Sequence, residues 1–364
     1  MVRRAPEPGE PGGTEGPAKK VAAPPGPNIP NLRLPSRDKA IEAAIAEVEK
    51  AHGSGTVMRL NDRIASFSHE VCPSGLLGFD KALGGGWPFG RIVEVYGPEG
   101  GGKTTLILHA IASCQRLGGT AALLDAEHSF DPTYAKALGV DVSKLLVSQP
   151  DYGEQVFEVM EPFVAAGINL IAVDSVAALT PKAELEGEIG DQHVGLQARM
   201  MNQALRRFTA KVSKAKTLLM FINQLRMKIG MHGYGSPEET PGGKALKYYA
   251  SVRVDVRPTG KFKRGEEVAG HEVFLKVVKN KLAPPFQKCD ARLVFGKGFW
   301  RAGEVVDLAA EYGIIEKSGA WYSYQGERIG QGRDNVADYL EARPEVLGGV
   351  EAAVRTRMYA TEAT

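Results

Sequence analysis

Between about residue 90 and residue 300, short apolar runs alternate with stretches of helical periodicity. Arg91–Tyr96, Ala121–Leu124, Leu170–Val173 and Leu218–Ile222 are nearly continuous apolar runs, the pattern of strands buried on both faces. Thr104–Arg116, Pro132–Leu138, Glu154–Ala166 and Gly195–Lys214 lie between them and read as helices. Strand–helix alternation of this kind predicts an α/β fold with a mostly parallel, doubly wound sheet. Strands near Ser251–Arg257, His271–Lys279 and Ala291–Val294 follow without intervening helices, so the sheet is expected to finish in an antiparallel portion. Beyond Gly303, a helix (Glu304–Tyr312), an aromatic strand (Trp321–Tyr324) and a second helix (Asn335–Ala342) predict a small α/β module. Ahead of the core, Ser36 is placed to cap a helix that ends at Gly53 and carries Ile41, Ala44, Ile45 and Val48 on one stripe. That stripe must cover its own core or dock on a neighbouring subunit. The expected organisation is a tail (1–36), an N-terminal helical segment (37–75), an α/β core (76–300) and a C-terminal α/β domain (301–364).

Composition separates the tail from the rest. Residues 1–36 hold nine of the 22 prolines, five glycines and no aromatic residue, too little apolar surface to offset the entropy of ordering. They are expected to be disordered. Over the whole 364-residue chain, 45 Lys and Arg against 43 Asp and Glu leave a net charge of +2. Any attraction to polyanions must therefore be local. Cys72, Cys114 and Cys289 form neither a disulfide framework nor a metal motif, which fits a reducing cytoplasm. The absence of a long apolar run argues against a membrane span, and the N-terminus has no apolar signal core.

The candidate chemistry begins at Gly97-Pro98-Glu99-Gly100-Gly101-Gly102-Lys103-Thr104, followed by Thr105, which fits G-x-x-x-x-G-K-[ST] between a strand and a helix. Glycines turn backbone N–H groups onto phosphate oxygens, and the helix start adds its positive end. Lys103 brings a cation to the β/γ-phosphates, and Thr104 a hydroxyl to Mg²⁺. Asp174, closing the apolar strand Leu170–Val173, suits the carboxylate behind that metal. Leu123-Leu-Asp125-Ala-Glu127-His128 ends another strand with two carboxylates that alternation would place on one face. Glu127, with the longer reach, is the preferred base, Asp125 its competitor, and His128 reads as structural.

With these residues placed, the chain resembles the bacterial RecA family of P-loop ATPases, from about Asp38 to Arg343. The likeness rests on Val95-Tyr-Gly-Pro-Glu, Leu124-Asp-Ala-Glu-His, Val173-Asp-Ser-Val-Ala-Ala-Leu-Thr-Pro, Glu186-Gly-Glu-Ile-Gly-Asp191, Phe221-Ile-Asn-Gln224, Lys276-Val-Val-Lys-Asn-Lys281 and Ile329-Gly-Gln-Gly332. It implies a RecA-type ATPase core and a filament on single-stranded DNA that uses ATP and Mg²⁺ to search a duplex and exchange strands. The partners it implies are single- and double-stranded DNA, further copies of the chain, an SOS repressor and recombination mediators. It makes Glu127 the catalytic glutamate and puts Asp131 and Tyr134 at the adenine. Gln224 becomes the γ-phosphate sensor, and Lys279 and Lys281 the lysines that reach the neighbouring subunit's ATP. Segment 37–75 becomes a polymerisation segment, and Glu186–Arg199 and Leu225–Gly243 become DNA loops.

These loop assignments agree with the residues. The second loop sets Arg226, Lys228 and Lys244 around Ile229 and Tyr234, joining phosphate-neutralising charge to groups able to wedge or stack between bases. Arg199, Arg206 and Arg207, on the helix after the first loop, complete the DNA-binding set. There are departures from the family pattern. Gly100 and Gly101 stand where serines are common, the second loop is about one residue longer, Tyr248 replaces a frequent Phe, and no acidic tail ends the chain. The competing reading is a RecA-fold filament scaffold or regulatory ATPase that binds DNA without strand exchange.

Overall fold

The apolar runs assemble one nine-stranded sheet in a computed structural model that describes residues 37–57, 70–188, 195–227 and 238–360. The expectations for the tail, for Lys228, Ile229 and Tyr234, and for the middle of the first loop lie outside the described residues. From edge to edge the strands are Gly298–Phe299, Lys288–Val294, Glu267–Asn280, Val252–Arg264, Ile92–Gly97, Leu218–Gln224, Leu170–Asp174, Ala121–Asp125 and Leu146–Ser148. The six from Val252–Arg264 to Leu146–Ser148 run parallel, and the remaining pairings are antiparallel.

Period-two alternation divides these strands between two cores. Val93, Val95, Leu170, Ala172, Met220 and Ile222 face a cluster with Leu106, Ile107 and Ile111 of the helix Lys103–Arg116. Ile92, Ile171, Val173, Leu219 and Phe221 face the opposite cluster. There the helix Leu196–Ala215 buries Met201, Ala204, Leu205, Phe208 and Val212, a single stripe at helical spacing. A sheet covered by helices on both faces needs strands without a polar side, hence the continuous apolar runs. The central strand Ile92–Gly97 delivers the glycine loop to the carboxyl ends of its neighbours, where ligand crevices form in open α/β sheets.

Three expectations need correction. The antiparallel hairpin, Val252–Arg264 with Glu267–Asn280, is longer than its apolar part suggests. Its outer half crosses irregularities at Pro258/Gly260 and Phe262/Lys263, which break the alternation. The C-terminal module gains a last helix, Pro344–Ala360, and a three-stranded sheet, Glu316–Ser318, Trp321–Tyr324 and Glu327–Gln331. At the other end, the first helix spans Asp38–His52 with Arg37, not the expected Ser36, at its N-cap position, and Ser36 itself lies outside the described residues.

The chain divides into two compact units, Met1–Phe67 and Ser68–Thr364. Helix Asp38–His52 belongs to the first and has no buried residue. Within the second, Glu304 of the helix Arg301–Glu311 joins the C-terminal module to the core by accepting from the backbone N–H groups of Leu77 and Gly78, both at 2.9 Å. Burial pushes its carboxyl up to about 7 despite those two bonds. An acid whose folded value is raised binds its proton more tightly folded than unfolded. Its favourable contribution is therefore full at low pH and is lost as pH rises from about 4.5 through 7. In thermal melts, the advantage of the unsubstituted protein over Glu304→Gln is expected to be largest near pH 5 and to shrink by several degrees near pH 8. A pH-independent difference would place the charged carboxylate in water.

Candidate active site and DNA-facing segments

The glycine loop is held by close approach. A Cβ on Gly97 would lie 2.0 Å from the Val256 carbonyl oxygen of the adjoining strand, so no side chain fits there. Gly102, left-handed at φ +89°, is the N-cap of the helix Lys103–Arg116, so the helix start emerges directly from the loop. Lys103 is only 8% exposed and donates to the Pro98 carbonyl at 2.7 Å. Its burial lowers the ammonium's pKa, and the carboxylates of Asp174, Glu127 and Glu99 pull it back up. Thr104 Oγ1 donates to Asp174 Oδ2 at 2.7 Å. Asp174 is buried, which raises its carboxyl to about 6 against the effect of that bond. A hydroxyl beside a carboxylate is a hard-oxygen pair suited to Mg²⁺ whose other ligands are phosphate oxygens and water. Among the described residues, no cluster of three or more His, Cys, Asp or Glu side chains is placed to hold a metal.

Asp125 and Glu127 do not share a face, contrary to the alternation argument. The strand ends at Asp125, and the N–H groups of Ala126 and Glu127 both turn to the Asp174 carbonyl oxygen, at 2.7 and 3.2 Å. Asp125 is buried and its carboxylate is engaged, accepting from Ser129 N, Phe130 N and Gln149 Nε2 at 3.0–3.1 Å. Glu127 is exposed at the crevice. Its Oε1 accepts from Ser175 Oγ and, at 3.0 Å, from Gln224 Nε2. One carboxylate oxygen thus joins the ends of the strands carrying Asp174 and Gln224. Ser175 was not singled out from sequence, although it follows Asp174 directly.

Tyr134 is half-buried, and its hydroxyl pairs with Thr105 at 2.9 Å. Asp131 caps the helix Pro132–Ala137, accepting from Thr133 N and Tyr134 N at 2.7 and 3.2 Å. The cap fixes the backbone at Tyr134, and the bond to Thr105 ties its side chain to the glycine-loop helix. Lys279 and Lys281 do not lie on one strand face, because the strand stops at Asn280. The Asn280 carbonyl oxygen of the side chain accepts from Leu282 N and Ala283 N and turns the chain. Lys279 Nζ donates to the carbonyls of Lys247 and Tyr248 at 2.6 and 3.1 Å, and Lys281 is exposed beyond the turn.

The arginines after the first loop separate into two groups. Arg199 and Arg206 are exposed on the helix Leu196–Ala215, whereas Arg207 pairs with Glu161 at 2.9 Å. Arg226 starts a short ladder, Arg226–Met227 with Glu238–Glu239, that closes the base of the second segment. Lys244 is exposed at the N-cap of the helix Ala245–Tyr249. Sequence reading also missed a buried network beneath this segment. Glu94, fully buried, accepts from Arg253 Nε at 2.5 Å and from Asn223 Nδ2 at 3.1 Å, and the same amide donates to the Pro241 carbonyl at 3.1 Å.

Comparison with known proteins agrees with this geometry. The RecA N-terminal domain matches residues 39–300 and the RecA C-terminal domain residues 303–359. The chain is 55% identical to Protein RecA of Thioalkalivibrio sulfidiphilus over 324 residues, 88% of this chain and 94% of that one. It is 55% identical to Protein RecA of Methylococcus capsulatus over 327 residues, 89% and 94% of the two chains. Protein RecA of Macrococcus caseolyticus is 54% identical over 327 residues, 89% of this chain and 92% of that one. A glycine loop on the central strand, a sheet of this order and matches over nearly the whole chain lead to one conclusion: the chain belongs to the RecA family.

Proposed function

We propose that the chain is a DNA-dependent ATPase and homologous recombinase, forming filaments on single-stranded DNA and exchanging strands with a homologous duplex in DNA repair and the SOS response. The observation that carries the reading is the Glu127 carboxylate, bonded to Ser175 on one side and to Gln224 on the other. It ties the hydrolytic crevice to the entrance of a DNA-facing segment.

Gly97–Thr105 cradle the triphosphate, Tyr134 and Asp131 hold the adenine side, and Thr104 with Asp174 hold Mg²⁺. The bound ion supplies Lewis-acid charge to the phosphate oxygens and favours the ionised form of Asp174. Lys103 leaves the Pro98 carbonyl to neutralise the phosphates. Glu127 accepts the proton of the attacking water at Oε1 or Oε2. Lys279 and Lys281 of a neighbouring copy add positive charge on the far side. Arg199, Arg206, Arg207, Arg226, Lys228 and Lys244 neutralise DNA phosphates, with Ile229 and Tyr234 between bases. An SOS repressor and recombination mediators are further partners, and the site of action is the cytoplasm.

The polymer forms through the helix Asp38–His52, whose residues are all unburied and whose Ile41 is 48% exposed. Ile41→Asp is expected to shorten filaments seen by electron microscopy while leaving the melting temperature within about two degrees, as for an exposed site. Loss of the fold would assign the stripe to the helix's own core. The function itself is tested by strand exchange with ATP on homologous and heterologous duplexes. Joint molecules only with homology are expected; DNA binding and ATP turnover without exchange would favour the scaffold reading.

A further inference from the structure

The ends of the two DNA-facing segments meet at one side chain. Gln197 lies in the first turn of the helix Leu196–Ala215, where the first segment ends. Its Nε2 donates to the carbonyl oxygens of Val176 and Leu179 at 2.9 and 3.1 Å. Its Oε1 accepts from the backbone N–H of Gly242, where the second segment ends, at 3.1 Å. Two carbonyls at one end of the amide and an N–H at the other fix its orientation, since only the NH₂ group can serve both carbonyls. Both donors and the acceptor are thus committed to backbone from two other stretches of chain.

Packing at the same place is tight enough to transmit a shift. Gly242 is buried, and a Cβ there would stand 2.9 Å from Val176 Cγ1. A Cβ on Gly243 would stand 2.8 Å from Ala198 Cβ. The two left-handed glycines therefore press the end of the second segment onto the helix that begins at the end of the first. The turn Val176–Ala178 directly follows Ser175, which bonds Glu127. Hydrogen bonds joined by the short stretch of chain from Ser175 to Leu179 lead from Glu127 to Gln197, and from there to Gly242. It is separate from the Glu127–Gln224 contact, which reaches the other end of the second segment.

We infer that Gln197 is a positioning residue that locks the ends of both DNA-facing segments to the strand end carrying Asp174, so that the two segments answer the nucleotide site together. This rests on the assignment of those segments to DNA. Without the amide, the far end of the second segment would keep its Asn223–Pro241 bond but lose its tie to the turn that follows Ser175, and the first segment would no longer be bonded to it.

The test compares the unsubstituted protein with Gln197→Met, which keeps the length and apolar volume of the side chain but loses all three bonds. Single-strand DNA affinity is measured with and without a non-hydrolysable ATP analogue, and exchange of the Gly242 amide is followed by hydrogen–deuterium exchange. The analogue's enhancement of DNA affinity is expected to fall by about five-fold or more, the lower end of common coupling strengths. Gly242 exchange is expected to accelerate, while analogue affinity without DNA stays within about two-fold, a combination that general loosening of the fold would not produce. If Gln197→Met does not fold, Gln197→Glu is read in its place. It keeps the acceptor for Gly242 and loses both donors, so Gly242 should stay protected while the enhancement still falls. A folded variant with undiminished enhancement overturns the coupling role and leaves the proposed function standing. No enhancement in the unsubstituted protein overturns both.

Discussion

Lys103→Ala is expected to lower DNA-stimulated ATP hydrolysis by about 10²–10³-fold, the usual cost of removing one preorganised group from developing transition-state charge. The lysine is 8% exposed and held 2.7 Å from the Pro98 carbonyl, so it reaches the phosphates without being drawn out of water at the moment of reaction. Glu127→Gln should separate binding from chemistry. The amide keeps a carbonyl oxygen for Ser175 and Gln224 but cannot take a proton, so turnover should drop by about 10²–10⁴-fold with ATP and DNA still bound. Steady-state hydrolysis with and without single-stranded DNA reads both variants. Normal turnover in Lys103→Ala would remove the glycine loop from the reaction. Fast turnover in Glu127→Gln would move the base elsewhere, although the carboxylate of Asp125 already accepts three hydrogen bonds.

The second large effect is on stability. Glu94 is fully buried on the central strand, and the Arg253 side chain that faces it is 13% exposed. Arg253 also lies over the Tyr96 ring, its guanidinium carbon 4.7 Å from the centroid. Glu94→Ala would leave that cation without its partner and leave one N–H donor of the Asn223 amide without its acceptor. Breaking a buried pair from one side costs about 3–5 kcal/mol. In a domain of this size the melting temperature should fall by about 10 °C. Scanning calorimetry decides it: a loss near zero would mean that water or another anion replaces the carboxylate. Because Asn223 also holds the Pro241 carbonyl, the surviving folded protein should bind DNA less tightly as well.

What the sequence made legible follows from where its signals are local. The parallel strands could be read because both faces are covered, so the whole run is apolar. The helix Lys103–Arg116 and its loop could be read because phosphate binding needs glycines, a lysine and a hydroxyl at fixed spacing. The hairpin's outer half was obscured by Pro258 and Gly260, which read as turn residues although the ladder continues through them to the actual turn at Gly265 and Glu266. The helix Pro344–Ala360 was obscured by Gly348 and Gly349, each unfavourable in a helix by about 1 kcal/mol relative to Ala. In that helix, burial of Val350, Val354 and Met358 outweighs propensity.

The site divides in the same way. Lys103, Thr104, Asp174 and Glu127 stand at strand ends or in a motif, and their places could be inferred. The choice between Asp125 and Glu127 could not be made from spacing, because it depends on the residue at which the strand stops. The relative placing of Lys279 and Lys281 is set in the same way, by Asn280, which ends their strand. Glu94 with Asn223 and Arg253 joins residues 129 and 159 apart in the chain. No local pattern encodes such a pairing; it exists only once the three strands are adjacent.

The proposed coupling of the nucleotide site to the DNA-facing segment runs through Gln224, whose Nε2 lies 3.0 Å from Glu127 Oε1 at the end of the strand that opens into that segment. The direct measurement is single-strand DNA affinity with and without a non-hydrolysable ATP analogue, in the unsubstituted protein and in Gln224→Ala. The analogue is expected to tighten DNA binding by about five-fold or more in the first, within the range of common coupling strengths. In Gln224→Ala the analogue should still bind but leave DNA affinity unchanged. An undiminished effect of the analogue in that variant would contradict that coupling.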